Sequence, residues 1–166
     1  MRPSIYWLDL PEAGRLAIMP RPRAGDWLLD EIAGWKREAI NVVVSLLEQH
    51  EVDELEPQQE PMLCETADIE FVSFPIPDRG VPELRETQRL VRSLSAAVAD
   101  RKVVAIHCRA GIGPSSLIAA CILVHLGYDA NSAFDTIARA RGVGVPDTEA
   151  QRAWVAKFQR GDYDYF

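Results

Sequence analysis

Long apolar runs are missing from this 166-residue chain: nothing approaches the roughly 18 uninterrupted apolar residues that cross a bilayer, so no membrane-spanning helix is expected. The first residues lack an apolar core of signal-peptide length and include an early acid, Asp9, so a cytoplasmic protein is expected. Positive charge is in deficit, with 18 Lys and Arg against 25 Asp and Glu and a net charge of −7. That balance argues against nucleic acid or an anionic membrane surface as the main partner. Cysteine is scarce. Cys64, Cys108 and Cys121 form no even disulfide framework and no paired metal-ligand spacing, which fits a reduced compartment and a catalytic thiol. Cys121 falls in an apolar run and reads as core; Cys64 reads as a buried thiol, with a resolving partner for Cys108 as the weaker option. No internal repeat or dividing linker is visible, and one domain over residues 1–166 is expected.

What is present is concentrated between residues 103 and 116. Val103-Val104-Ala105-Ile106 is a short apolar run with strand character, and it ends in His107-Cys108. The loop Arg109-Ala110-Gly111-Ile112-Gly113 follows, and Pro114-Ser115-Ser116 opens a long apolar stretch. Strand, glycine-bearing loop and helix start together make an anion site, because backbone N–H groups converge there and the helix dipole favours negative charge. The same field favours the thiolate of Cys108, the nucleophilic form. A cation is lacking at Pro114, where such a site calls for one.

The remaining pattern predicts an α/β domain with a central, mostly parallel sheet flanked by helices. Residues 5–10 and 15–19 read as an N-terminal hairpin around the turn at 11–14. Asp26 is placed to cap a helix carrying Trp27, Leu28, Ile32 and Trp35. Strands are expected at residues 41–47, 69–74 and 103–107, and helices from Pro82 and over 115–126, 132–141 and 148–158, with Gly127 closing the first of those three. Residues 48–65 read as a helix broken near Pro57 and Pro61. Within them, residues 48–60 hold six acids and no Lys or Arg, read as a solvated acidic lobe rather than a partner-binding patch.

His107-Cys108-x-x-Gly111-x-x-Pro114-Ser115 resembles the signature loop of the cysteine-dependent protein-tyrosine and dual-specificity phosphatases, His-Cys-x-x-Gly-x-x-Arg-Ser/Thr, with only the arginine absent. Residues 74–82, Phe-Pro-Ile-Pro-Asp-Arg-Gly-Val-Pro, resemble the segment that carries the family's general acid, and residues 141–151 resemble its late glutamine-bearing loop. The resemblance implies Cys108 as nucleophile and Asp78 as general acid. It further implies Ser115 as the hydroxyl that helps the thiolate leave, Gln151 as the residue that places water, and His107 as support for the loop. Arg109, Ala110, Gly111, Ile112 and Gly113 would cradle phosphate. No metal or organic cofactor is implied, and the expected partner is a phosphorylated protein or a small phosphate ester.

Local readings stand beside these. Asp78 between Pro77 and Gly80 suits a turn, Ser115 suits a helix first turn, and Thr148-x-x-Gln151 is a capping box. Arg109 follows Cys108 directly and is poorly placed to replace the missing cation. Pro114 itself suits the first position of a helix. Two functions are therefore expected to compete: a phosphatase impaired at Pro114, and a pseudophosphatase or phosphate-ester binding module.

Overall fold

Five strands form the sheet: β1 (Tyr6–Trp7), β2 (Arg15–Met19), β3 (Val42–Ser45), β4 (Glu70–Ser73) and β5 (Val103–His107), with β-branched residues dominating β3 and β5. Their order is β1-β2-β5-β3-β4, parallel throughout except for the β1–β2 hairpin. The computed structural model describes residues 4–11 and 14–160, apart from the Arg160 side chain. Part of the expected hairpin turn, Glu12 and Ala13, and the first three residues of the chain lie outside the described residues. β1 is shorter than expected: its last rung is Leu8 N–H to Leu16 C=O at 2.9 Å, and Pro11 has no N–H with which to extend it.

Side-chain alternation divides the core in two. Leu16, Ile18, Val42, Val44, Val104 and Ile106 face one cluster, while Ala17, Met19, Val43, Val103 and Ala105 face the other. The second face is covered by α1 (Leu28–Arg37), which buries Leu28, Ile32 and Trp35, and by α3 (Glu60–Thr66), which buries Cys64. The first is covered by α4 (Leu84–Ala99), α5 (Pro114–His125), α6 (Ala130–Arg141) and α7 (Glu149–Arg160). α5 is enclosed by the sheet and by α4, α6 and α7, so residues 114–123 are all buried. That explains why it reads as continuously apolar rather than amphipathic. The helix ends in a Schellman arrangement: Gly127, at φ 109°, donates to Val124 C=O, and Tyr128 N–H reaches Leu123 C=O.

Two local expectations are corrected. Asp26 does not cap α1: it lies in a 3₁₀ turn (Gly25–Trp27), and Trp27, at the helix N-cap, has its ring half exposed beside Arg23. The acidic stretch is two helices, α2 (Gln49–Leu55) and α3, separated at residues 56–59. Pro57 marks the break, whereas Pro61 sits in the first turn of α3, where its missing N–H has no intrahelical partner to lose. Nor is that stretch wholly solvated, because Glu51 and Glu60 are each 2 % exposed.

Candidate active site

β5 delivers Cys108 to the carboxyl edge of the sheet, and α5 begins six residues later. The junction is fixed by backbone bonds: Leu46 N–H donates to His107 C=O at 2.9 Å and Arg21 N–H to Arg109 C=O at 3.3 Å. The Cys108 sulfur is 3.1 Å from Ser115 Oγ and accepts from Gly111 N–H at 3.3 Å. Both groups can donate to sulfur, and such donors stabilise a thiolate when one forms. Among the described residues, no protein group accepts from the N–H of Arg109, Ala110, Ile112 or Gly113. These donors stand beside the N-terminus of a 12-residue helix with no acid in its first turn.

The loop is held from outside. Arg141, at the end of α6, donates from Nε to Gly111 C=O at 3.2 Å and from NH2 to Ala110 C=O at 3.3 Å. Its guanidinium also lies 4.2 Å from the Tyr6 ring centroid. Two loop carbonyls are thereby satisfied away from any ligand. Gly111 adopts φ 73°, and a Cβ there would come within 2.7 Å of Pro20 N and 2.8 Å of the Met19 carbonyl, so only glycine fits. A Cβ on Gly113 would collide with the Asp147 carboxylate. Asp147 thus lies directly against the loop.

Arg109 is turned away. Its guanidinium is 3.2 Å from Glu54 and 3.9 Å from Glu51, both on α2. The hydrogen bond with Arg109 holds the Glu54 carboxyl below its usual range and raises the affinity of Arg109 for its own proton. Pro114 is buried in the first turn of α5 and carries no charge. The cation missing from the sequence pattern is therefore not replaced by Arg109 or Arg141, whose guanidiniums are committed elsewhere.

Asp78 is exposed in the turn closed by Gly80 N–H to Pro77 C=O at 2.7 Å. The segment is anchored by Phe74 N–H to Ser45 C=O and Ile76 N–H to Leu46 C=O, with Ile76 buried. Its charge is felt by Arg109, in the loop that follows Cys108. Gln151 ties the segments together. It forms the capping box with Thr148 in both directions, at 3.2 and 3.1 Å, and its Nε2 donates to Gly80 C=O at 3.0 Å. Nε2 would also lie 3.1 Å from a Cβ on Gly113. The capping reading of Gln151 is observed, with an added tether from α7 to the Asp78 turn.

His107 points to the opposite face of the sheet, where its ring stacks on Trp35 and its Nε2 lies 2.5 Å from Glu60 Oε1. Cys64 also belongs to that face, away from Cys108, which joins the α4–α7 cluster. Burial and the charge of Glu60 push the Cys64 thiol up to about 12, and burial raises Cys121 well above its ordinary range, so neither is a ready nucleophile. The reading of Arg141, Asp147, Glu51 and Glu60 from sequence missed their contacts with the site. Only Glu51 had a local signal: with Glu48 it forms a capping box across three residues.

No helix among the described residues is long and apolar enough to cross a membrane. The chain is similar to a rat (Rattus norvegicus) protein named cyclin-dependent kinase inhibitor 3, at 31% identity over 87 residues. That match covers 51% of this chain and 41% of the relative, so the chain matches about two fifths of that protein's length. In structure it resembles a kinase associated phosphatase crystallised with its catalytic-site cysteine changed to serine. The TM-score is 0.90 at 21% identity, covering 100% of this chain and 99% of the other, which establishes a shared fold. The active form of Tk-PTP superimposes with a TM-score of 0.77 at 26% identity, covering 96% and 99% of the two chains. The family described as "Tc-R-P: Polymorphic toxin system, DSP-PTPase phosphatase" matches residues 17–128, a span that runs from β2 through the Cys108 loop and α5, and the chain belongs to that phosphatase family.

Proposed function

We propose that this chain hydrolyses phosphate monoesters through a phosphocysteine formed on Cys108. The observation that carries the proposal is the seat of the sulfur: beneath a loop with uncommitted N–H groups, at a helix N-terminus, and in reach of two donors. In the first step Cys108 Sγ attacks phosphorus and the bond to the leaving oxygen breaks. The Asp78 carboxyl gives that oxygen its proton. The N–H groups of Arg109, Ala110, Ile112 and Gly113 hold the phosphoryl oxygens, joined by that of Gly111 once the sulfur it donates to has bonded to phosphorus. In the second step a water oxygen attacks phosphorus, its proton passes to the Asp78 carboxylate, and the S–P bond breaks. The Ser115 hydroxyl donates to the departing thiolate, and Gln151 Nε2 places the water once it has released Gly80 C=O. The chemistry uses no metal or organic cofactor.

The substrate class is a phosphorylated protein or a small phosphate ester, and the setting is cytoplasmic. The loop has one basic residue between Cys108 and Ser116, which disfavours highly charged inositol phosphates. The net charge of −7 disfavours nucleic acid and anionic membranes as partners.

One observation favours a second reading. Pro114 supplies no cation, Arg109 is held by Glu54, and the Asp147 carboxylate stands against the loop. Those features suit a pseudophosphatase that binds phosphate esters without turning them over. A single-turnover assay with an activated aryl phosphate and excess protein separates the two. A phenolate burst that vanishes in Cys108→Ser is expected for the enzyme. Retention of the intact ester with no burst assigns the chain to binding.

A further inference from the structure

Behind the nucleophile stands an acid that the cysteine chemistry leaves without a role. Glu60 begins α3 and is 2 % exposed; its carboxylate meets His107, which is fully buried. A buried carboxylate without a partner is strongly disfavoured, so the acid is stable there chiefly because of the ring. The ring is fixed on three sides. Glu60 holds Nε2, the indole of Trp35 stacks at 6.3 Å with a 30° tilt, and the β5 backbone pairs with β3 at Ser45. Nδ1 has no hydrogen-bond partner among the described residues.

Two proton arrangements keep this buried pair electrically neutral: carboxylate with imidazolium, and carboxylic acid with imidazole. Both leave an Nδ1–H unsatisfied, so hydrogen-bond satisfaction does not separate them. The surroundings do. An indole face attracts a cation, and α1 presents Trp35 there. From α3 the buried titratable group besides Glu60 is Cys64, a neutral thiol, while Glu65 is exposed. From α2 comes Glu51, an acid whose Oε2 has no hydrogen-bond partner among the described residues and stands 3.9 Å from the Arg109 guanidinium. The nearby cation Arg109, on the loop, is shared between Glu54 at 3.2 Å and Glu51 at 3.9 Å. A cavity of about 290 Å³ lined in part by Ser45, Leu47, Val52 and Phe71 reaches Glu60, giving protons a route to solvent.

We infer that Glu60 is a positioning residue for the cysteine chemistry: its carboxylate holds His107 as an imidazolium, whose charge, one peptide before Cys108, favours the thiolate. The inference rests on Cys108 as the nucleophile. Its test reads thiol reactivity rather than turnover, so the two can fail separately.

The experiment measures iodoacetamide alkylation of Cys108 against pH, mapped by peptide mass spectrometry, in the native chain and in Glu60→Gln. The amide keeps the shape and can still accept from Nε2–H, but it carries no charge. In the native chain Cys108 is expected to react much faster than Cys64 or Cys121. Equal labelling of all three would overturn the nucleophile assignment itself. In Glu60→Gln the Cys108 profile is expected to move by about one pH unit toward alkaline, which is about a tenfold slower reaction on the acid limb of the profile, below its midpoint. A folded Glu60→Gln protein whose profile superimposes on the native one overturns the role of Glu60. Should that variant not fold, ¹⁵N-histidine NMR of the native chain decides. Both ring nitrogens of His107 protonated at pH 7 is the expected result, and a neutral ring overturns the inference.

Discussion

Pro114→Arg raises turnover of aryl phosphates by about a hundredfold or more. A guanidinium at this position grips two phosphoryl oxygens side by side, and the substitution restores one backbone N–H to the loop. Both additions act on charge that develops in the transition state. Removing a comparable oxyanion donor costs on the order of 3 kcal/mol in the barrier, or roughly a hundredfold to a thousandfold in rate. No existing side chain duplicates the effect. Arg109 is bound to Glu54 and Arg141 to the carbonyls of Ala110 and Gly111. The new cation also offsets the Asp147 carboxylate, which lies against Gly113. Steady-state kinetics and vanadate titration check this together. Because Pro114 is buried, the new guanidinium must turn toward the open side of the loop, so circular dichroism and a thermal melt accompany the kinetics to establish that the variant folds. A variant that folds normally and gains neither rate nor anion affinity shows that the likeness to the family is structural rather than chemical.

Asp78→Asn slows hydrolysis of phenyl and alkyl phosphates by about a hundredfold or more, the usual scale for a lost general acid. Activated nitrophenyl esters lose far less, because their leaving oxygen departs without a proton. The structure makes Asp78 suitable for this work. It is exposed on a turn anchored by Ile76 on one side and by Gln151 at Gly80 on the other. Its neighbour Arg79 takes the left-handed conformation, φ 63°, that closes the turn. Comparing the two ester types in one variant separates acid from architecture. An equal loss on both, or no loss, returns Asp78 to a turn residue.

What could be read in advance was what is written locally. Val103 to His107 is a strand and the residues after Gly113 are a helix, because the apolar run, the glycines and Pro114 each act within a few positions of themselves. The capping box at Thr148 and Gln151 is equally local. Contacts over long sequence separations were not legible. Glu60 looked like one acid among six in a solvated stretch, and only a histidine 47 residues away makes it a buried partner. Arg141 reaches carbonyls 30 and 31 residues earlier. Asp147 meets Gly113 only because α7 folds back onto α5. Asp26 failed as a cap for a related reason: a 3₁₀ turn precedes α1 and shifts its first residue to Leu28, which α1 buries.

The claim on which the rest depends is that phosphorus passes through the Cys108 sulfur. Mixing the protein with an aryl phosphate, quenching in acid within the first turnover and sequencing the Cys108 peptide by mass spectrometry tests it directly. The account predicts a phosphoryl group on Cys108 that decays as inorganic phosphate appears, and that accumulates further when the second step is slowed by Ser115→Ala. Release of phenolate and phosphate with no adduct on Cys108 at any time would contradict it.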